Sequence, residues 1–203
     1  MKNDLVKKMT LAAMFMAIGM LLPIVTMNIP EIGNMLLPMH IPVLLCGLIC
    51  GWKYGLAVGL ILPIFRSYTF GMPPIVPIAF AMSFELATYG FLAGFLYARS
   101  RWQCVVALYR VLIISMVGGR VVWGLAMMLI LTLNQGVFTW AAFMSGAILM
   151  AVPGIIIQLT VIPAIMVALN RTGLVKFQRV KPLEVVSATG FSSVNLDTEQ
   201  DDE

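Results

Sequence analysis

Charge is what this sequence has least of. Only 11% of its 203 residues are Asp, Glu, Lys or Arg, against about a quarter in ordinary soluble domains. With 61% hydrophobic residues and a mean hydropathy of +0.97, the chain carries more apolar surface than one soluble core of this length could hide. Histidine is nearly absent as well, and a single His40 excludes a multi-histidine metal site. Three cysteines, Cys46, Cys50 and Cys104, lie inside apolar segments, which suits packing in a reducing or lipid setting and gives no disulfide framework. No GxxxxGK[ST] loop, HExxH helix or GxSxG elbow occurs. Met144-Ser145-Gly146 would need a base from a second helix to act as an intramembrane nucleophile, and the lone histidine is expected in an outer loop. Neither a filter-like sequence nor a line of repeated charges points to a channel. The net charge of +4 is spread singly or in pairs between apolar runs, so it forms no patch for nucleic acid.

What is present is a succession of apolar runs long enough for lipid. A spanning helix needs about 20 mostly apolar residues. Six segments emerge, from about Leu5 to Met27, Ile41 to Gly51, Tyr54 to Phe70, Ile75 to Ala98, Cys104 to Leu133 and Phe138 to Asn170. The breaks between them carry Gly, Pro, Asn or charge, as in Gly51-Trp52-Lys53-Tyr54-Gly55, Gly71-Met72-Pro73-Pro74, Arg99-Ser100-Arg101 and Asn134-Gln135-Gly136. The first segment lacks a small-residue cleavage site and reads as a retained helix. The second is too short for an upright crossing, so it is broken or extended through Met35 to His40. The fifth and sixth are long enough to tilt or project. Pro23, Pro63, Pro153 and Pro163 fall inside helices and remove backbone donors there. The expected class is an all-α integral membrane protein: a six-transmembrane-helix bundle over residues 1–181 and a disordered, acidic cytoplasmic tail over 182–203. No internal repeat stands out.

Basic residues set the orientation. With the N-terminus in the cytoplasm, Lys2, Lys7, Lys8, Lys53, Arg99, Arg101, Arg171, Lys176, Arg179 and Lys181 all lie inside, leaving Arg66, Arg110 and Arg120. That asymmetry predicts an N-in, C-in topology, which an even number of spans satisfies.

Polar groups within the apolar segments ask for partners. Glu85 lies mid-way along the fourth segment and Arg120 mid-way along the fifth. Their distances from the outer ends put them within roughly 5 Å in depth. Two readings fit: a structural ion pair between neighbouring helices, or an Arg120 that meets an anionic substrate while Glu85 orients it. Tyr89 is one turn from Glu85 and shares its face. Asn34, His40, Arg66, Ser67, Tyr68, Asn134 and Gln135 gather at the outer face. There His40, between Pro38 and Pro42, belongs to a fixed loop. Arg66 either snorkels to the interface or offers its planar fork to a carboxylate. Trp123 and Trp140 suit interfacial anchors, and Gln158 needs a helix-helix partner. Ala13-Met14-Phe15-Met16-Ala17, with Ala12 and Gly19 nearby, lets another helix approach closely, from within the bundle or from a separate membrane protein.

Six helices, an Ala-xxx-Ala on the first, a structured first outer loop and no ATPase form a pattern that resembles the substrate-binding S component of an energy-coupling factor (ECF) vitamin transporter. The resemblance covers about Lys7 to Arg171. The stretch Leu36-Leu37-Pro38-Met39-His40-Ile41-Pro42-Val43-Leu44-Leu45-Cys46-Gly47, followed by Gly51 and Gly55, is similar to the pantothenate-type branch. The resemblance implies a non-catalytic subunit of a bacterial plasma-membrane importer with no cofactor of its own. It implies a vitamin pocket near the outer face, a transmembrane coupling protein as partner, and two cytoplasmic ATPases that drive toppling of the loaded subunit. Ala13 and Ala17 match the family's docking motif. Arg66 and Arg120 favour an anion, and pantothenate, a small carboxylate with hydroxyls and an amide, suits one Arg with Asn134, Gln135, His40 and Tyr89 as hydrogen-bonding partners. Riboflavin or folate would call on stacking surfaces such as Trp123, Phe138 and Trp140. A stand-alone secondary transporter would show related halves and several intramembrane acids; Glu85 is the only such acid.

Overall fold

The computed structural model describes residues 2–26, 38–71, 73–100, 104–133 and 152–171. Among these residues there are six α-helices and no strand: α1 (Lys2–Thr26), α2 (His40–Cys50), α3 (Trp52–Phe70), α4 (Phe80–Arg99), α5 (Val105–Leu133) and α6 (Val152–Arg171). Four stretches, Asp4–Ile24, Ile75–Arg99, Val105–Leu133 and Val152–Arg171, are long and apolar enough to cross a membrane. A multi-pass membrane protein follows from them.

The short second segment is the centre of the bundle. At 11 residues, α2 rises only about 16 Å, about half the hydrocarbon thickness. Yet Val43, Leu44 and Cys46 are wholly buried, because α1, α3, α4 and α6 all pack on it. Leu62, Leu86, Leu108, Leu112, Ile162 and Met166 complete the core from α3 to α6. Outward faces are apolar as well. Leu5, Leu21, Val117, Leu125 and Leu129 are more than half exposed, as lipid-facing positions require.

Backbones meet directly along one seam. A Cβ added to Gly47 of α2 would lie 2.5 Å from the Gly90 carbonyl oxygen of α4, and one on Gly55 of α3 2.6 Å from the Gly47 Cα. Gly59 faces the Leu86 carbonyl, Gly90 the Gly55 carbonyl, and Gly94 the Gly47 carbonyl and the Trp52 nitrogen. Hydrogen in place of a side chain is what lets α2, α3 and α4 close together without a layer between them. Two further glycines turn the chain. Gly51 (φ 101°) ends α2, and left-handed Gly71 (φ 69°) ends α3 by donating its N–H to Ser67 O at 2.9 Å.

Several expectations shift. His40 is not in a loop: it is the first residue of α2, and it is buried. Pro38 and Met39 form a turn, so α2 is not extended through them. The fourth segment does not begin as α-helix at Ile75. Ile75–Ala79 is a wide π-type turn with Val76 extended (φ −117°, ψ 130°), and α4 starts at Phe80. Pro77 has no N–H to give a regular first turn; the Ala79 N–H reaches back to Pro74 O at 3.0 Å. Pro23, Pro63 and Pro163 are inside helices as expected, whereas Pro153 is in the first turn of α6, where a missing donor costs nothing. The first part of the sixth segment, Phe138 to Ala151, lies outside the described residues, as do residues 27–37, 134–137 and the tail.

Candidate functional site

Polar side chains converge on one carboxylate. Glu85 of α4, 1% exposed, accepts from Arg120 of α5, whose Nη1 is 3.0 Å from Oε1. Tyr89, one turn on along α4, donates its hydroxyl to the same oxygen at 3.0 Å. His40 Nε2, at the start of α2, is 3.7 Å from it. The His40 and Tyr89 rings lie 5.2 Å apart at 58°. Three helices therefore supply four side chains to one point.

Each placement has a local reason. Glu85 and Tyr89 are four residues apart and so stack on one helical face. The Tyr89 ring occupies the space that a side chain at Gly119 would need, and the next residue on α5 is Arg120. The glycine seam presses α2 against α4 and brings His40 to Glu85. A charge among apolar helices is tolerated only when paired, and the Arg120–Glu85 contact satisfies that condition for both.

The cluster keeps unused hydrogen-bonding capacity. Among the described residues Arg120 Nε and both His40 nitrogens are buried without a hydrogen-bond partner. Leaving such groups unsatisfied costs roughly 1–3 kcal/mol each. Arg120 is the most accessible member, its side chain 14% exposed against 2% for Glu85. Chemically the arrangement is a guanidinium held by one edge, with a donor left over, beside an imidazole that can donate or accept. It can receive a small polar molecule carrying an acidic group.

Of the residues singled out from sequence, Glu85, Tyr89, Arg120 and His40 come together. Arg66 does not snorkel at an exposed surface. It is 4% exposed, and its Nη1 donates to Met39 Sδ at 3.4 Å, beside His40 in the chain. Its neighbour Ser67 donates to the Pro73 carbonyl and ties the end of α3 to the turn before α4. Asn134 and Gln135 lie outside the described residues. Gln158 of α6 is buried, its amide nitrogen unpartnered among the described residues. Ala13 and Ala17 are exposed on α1, on the side away from Ala12, Phe15 and Gly19, which face the core.

A family model, ECF transporter, substrate-specific component, matches residues 7–166. The chain belongs to this family. No curated protein and no solved structure matches it. As a substrate-specific component the protein is a transport subunit, and its buried ionic cluster is the candidate for the specificity its family name describes. Sequence reading had not found Gly59, Gly90, Gly94 or Gly119, whose role depends on which backbones meet. Nor had it found the Met39–Arg66 contact. The repeated glycines at four-residue spacing in α3 (Gly55, Gly59) and α4 (Gly90, Gly94) were the available signal.

Proposed function

We propose that this S component captures a small water-soluble vitamin, pantothenate, from outside the cell and delivers it inward as part of an ATP-driven importer. The observation that carries the reading is the buried Glu85–Arg120 pair with Tyr89 and His40 against it. In this reading Glu85 fixes one edge of the Arg120 guanidinium. The vitamin's carboxylate takes the remaining N–H groups, and His40 and Tyr89 address its hydroxyl and amide groups. Asn134 and Gln135, which follow α5 in the chain, add hydrogen-bonding groups for the ligand, and Arg66 adds positive potential.

In this reading the chain makes six crossings, α2 covering only part of the hydrocarbon in its own, with both termini in the cytoplasm, in a bacterial plasma membrane. The basic residues at the ends of the spans support that orientation. The exposed Ala13 and Ala17 of α1 form the docking face for a transmembrane coupling protein, to which two cytoplasmic ATPases attach. Hydrolysis in those partners topples the loaded subunit. Small residues on an otherwise bulky, lipid-exposed helix support this assignment.

Mass spectrometry of small molecules retained by the purified chain, followed by calorimetric titration, tests the proposal. Retention of pantothenate, and its loss in Arg120→Ala, is the expected result. A retained ligand without an acidic group, or undiminished pantothenate binding in the variant, overturns it.

A further inference from the structure

Away from this site, α4 ends and α5 begins beside a groove of about 590 Å3. Its walls include Leu96, Arg99 and Ser100 from the end of α4, and Val106, Arg110 and Ile114 from the start of α5. Arg110 is ten residues before Arg120, about 15 Å along the helix, so the groove is distinct from the Glu85 cluster.

The two arginines are unusual in their setting. Arg99 and Arg110 are both exposed. Arg110 shares its part of α5 with Val106, Ile114 and Val117, which are 62%, 52% and 60% exposed. A guanidinium on such a face sits poorly in hydrocarbon. Side chains on a helix lean toward its N-terminus, so Arg110 reaches back toward the level where α4 ends in Arg99. The two cations thus approach one level of the membrane from two helices. No acid lines the groove, and the sequence has none between Glu85 and Glu184. Neither arginine has an ion-pair partner among the described residues.

We infer that the groove binds an anionic phospholipid, with its phosphodiester between Arg99 and Arg110 and an acyl chain along Val106 and Ile114. Charge complementarity selects the headgroup. The apolar wall, continuous with the lipid-facing side of α5, selects a lipid over a soluble phosphate, which would leave that wall uncovered. The inference does not depend on which leaflet the groove faces.

Native mass spectrometry of the full chain, offered equal amounts of phosphatidylglycerol and phosphatidylcholine, tests it. Phosphatidylglycerol should be retained about fivefold or more over phosphatidylcholine, because both carry the phosphodiester but the choline cation of the latter cancels its net charge and is repelled by the two guanidiniums. The ratio should fall to parity in Arg99→Gln/Arg110→Gln and stay high in Arg171→Gln, an exposed arginine of α6 outside the groove. If the double variant fails to purify, Arg110→Gln alone should lower the ratio about twofold or more. Parity in the unmodified chain, an unchanged ratio in the groove variants, or displacement of the lipid by inorganic phosphate at equal concentration overturns the inference.

Discussion

Arg120 and Tyr89 both hold the same oxygen of Glu85, each at 3.0 Å, one from a neighbouring helix and the other from one turn along Glu85's own. That shared acceptor makes the three residues a unit. It also separates their structural role from their role in binding, because the two respond differently to paired substitutions.

Arg120→Ala should reduce affinity for an acidic vitamin by about a hundredfold or more, and should lower stability by about 3–5 kcal/mol, because Glu85 is left buried and uncompensated. Adding Glu85→Gln should restore most of the melting temperature without restoring affinity. Thermal unfolding in detergent and calorimetry read the two effects separately. Recovery of both together would assign the pair to the scaffold alone.

Tyr89→Phe keeps the ring against Gly119 and removes one donor to Glu85. The cost should be modest, about 1 kcal/mol, seen as a small fall in melting temperature. Gly119→Val, by contrast, forces the Tyr89 ring out of its place. It should depress ligand binding more than Tyr89→Phe does. Similar binding in the two variants would mean that the position of the ring is immaterial.

Gly90→Ala places a methyl group against the Gly55 backbone, where no flexible side chain can give way. Overpacking of this kind costs about 1–3 kcal/mol, and here it should also disturb the site, because His40 reaches Glu85 across the same packed surface. Gly118→Ala is the comparison: its added carbon meets only the end of the Leu92 side chain. It should leave unfolding temperature and binding nearly unchanged.

Ala13→Trp should abolish copurification of coupling and ATPase subunits with the tagged chain while leaving vitamin affinity intact, since Ala13 faces away from the core. Ala12→Trp, on the buried side of the same helix, should instead destabilise the isolated chain. Complexes that survive Ala13→Trp would move the docking face elsewhere.

Much of the architecture was legible because membrane helices are written in composition. Runs of about 20 apolar residues and their Gly-Pro breaks located the helices to within a few residues, except where the sixth segment leaves the described residues. Depth counting along two antiparallel helices was enough to pair Glu85 with Arg120, and four-residue spacing was enough to add Tyr89. His40 was misplaced for a physical reason. Flanking prolines read as a loop, yet Pro42 falls in the first turn of α2, where proline needs no donor, so the histidine opens a helix. The burial of Arg66 was not legible because sequence gives depth and not azimuth; the inward side of α3 is fixed by Gly55 and Gly59. The π-type turn at Ile75–Ala79 was missed because Ile75, Val76 and Ile78 are as apolar as the helix that follows.

The glycine contacts have a mechanical consequence. At Gly47, Gly55 and Gly90 the backbones of α2, α3 and α4 meet with no layer of side chains between them whose rotamers could absorb a change in spacing. How far His40 stands from Glu85 is therefore set by the approach of two main chains, and any atom added to that contact is felt at the carboxylate.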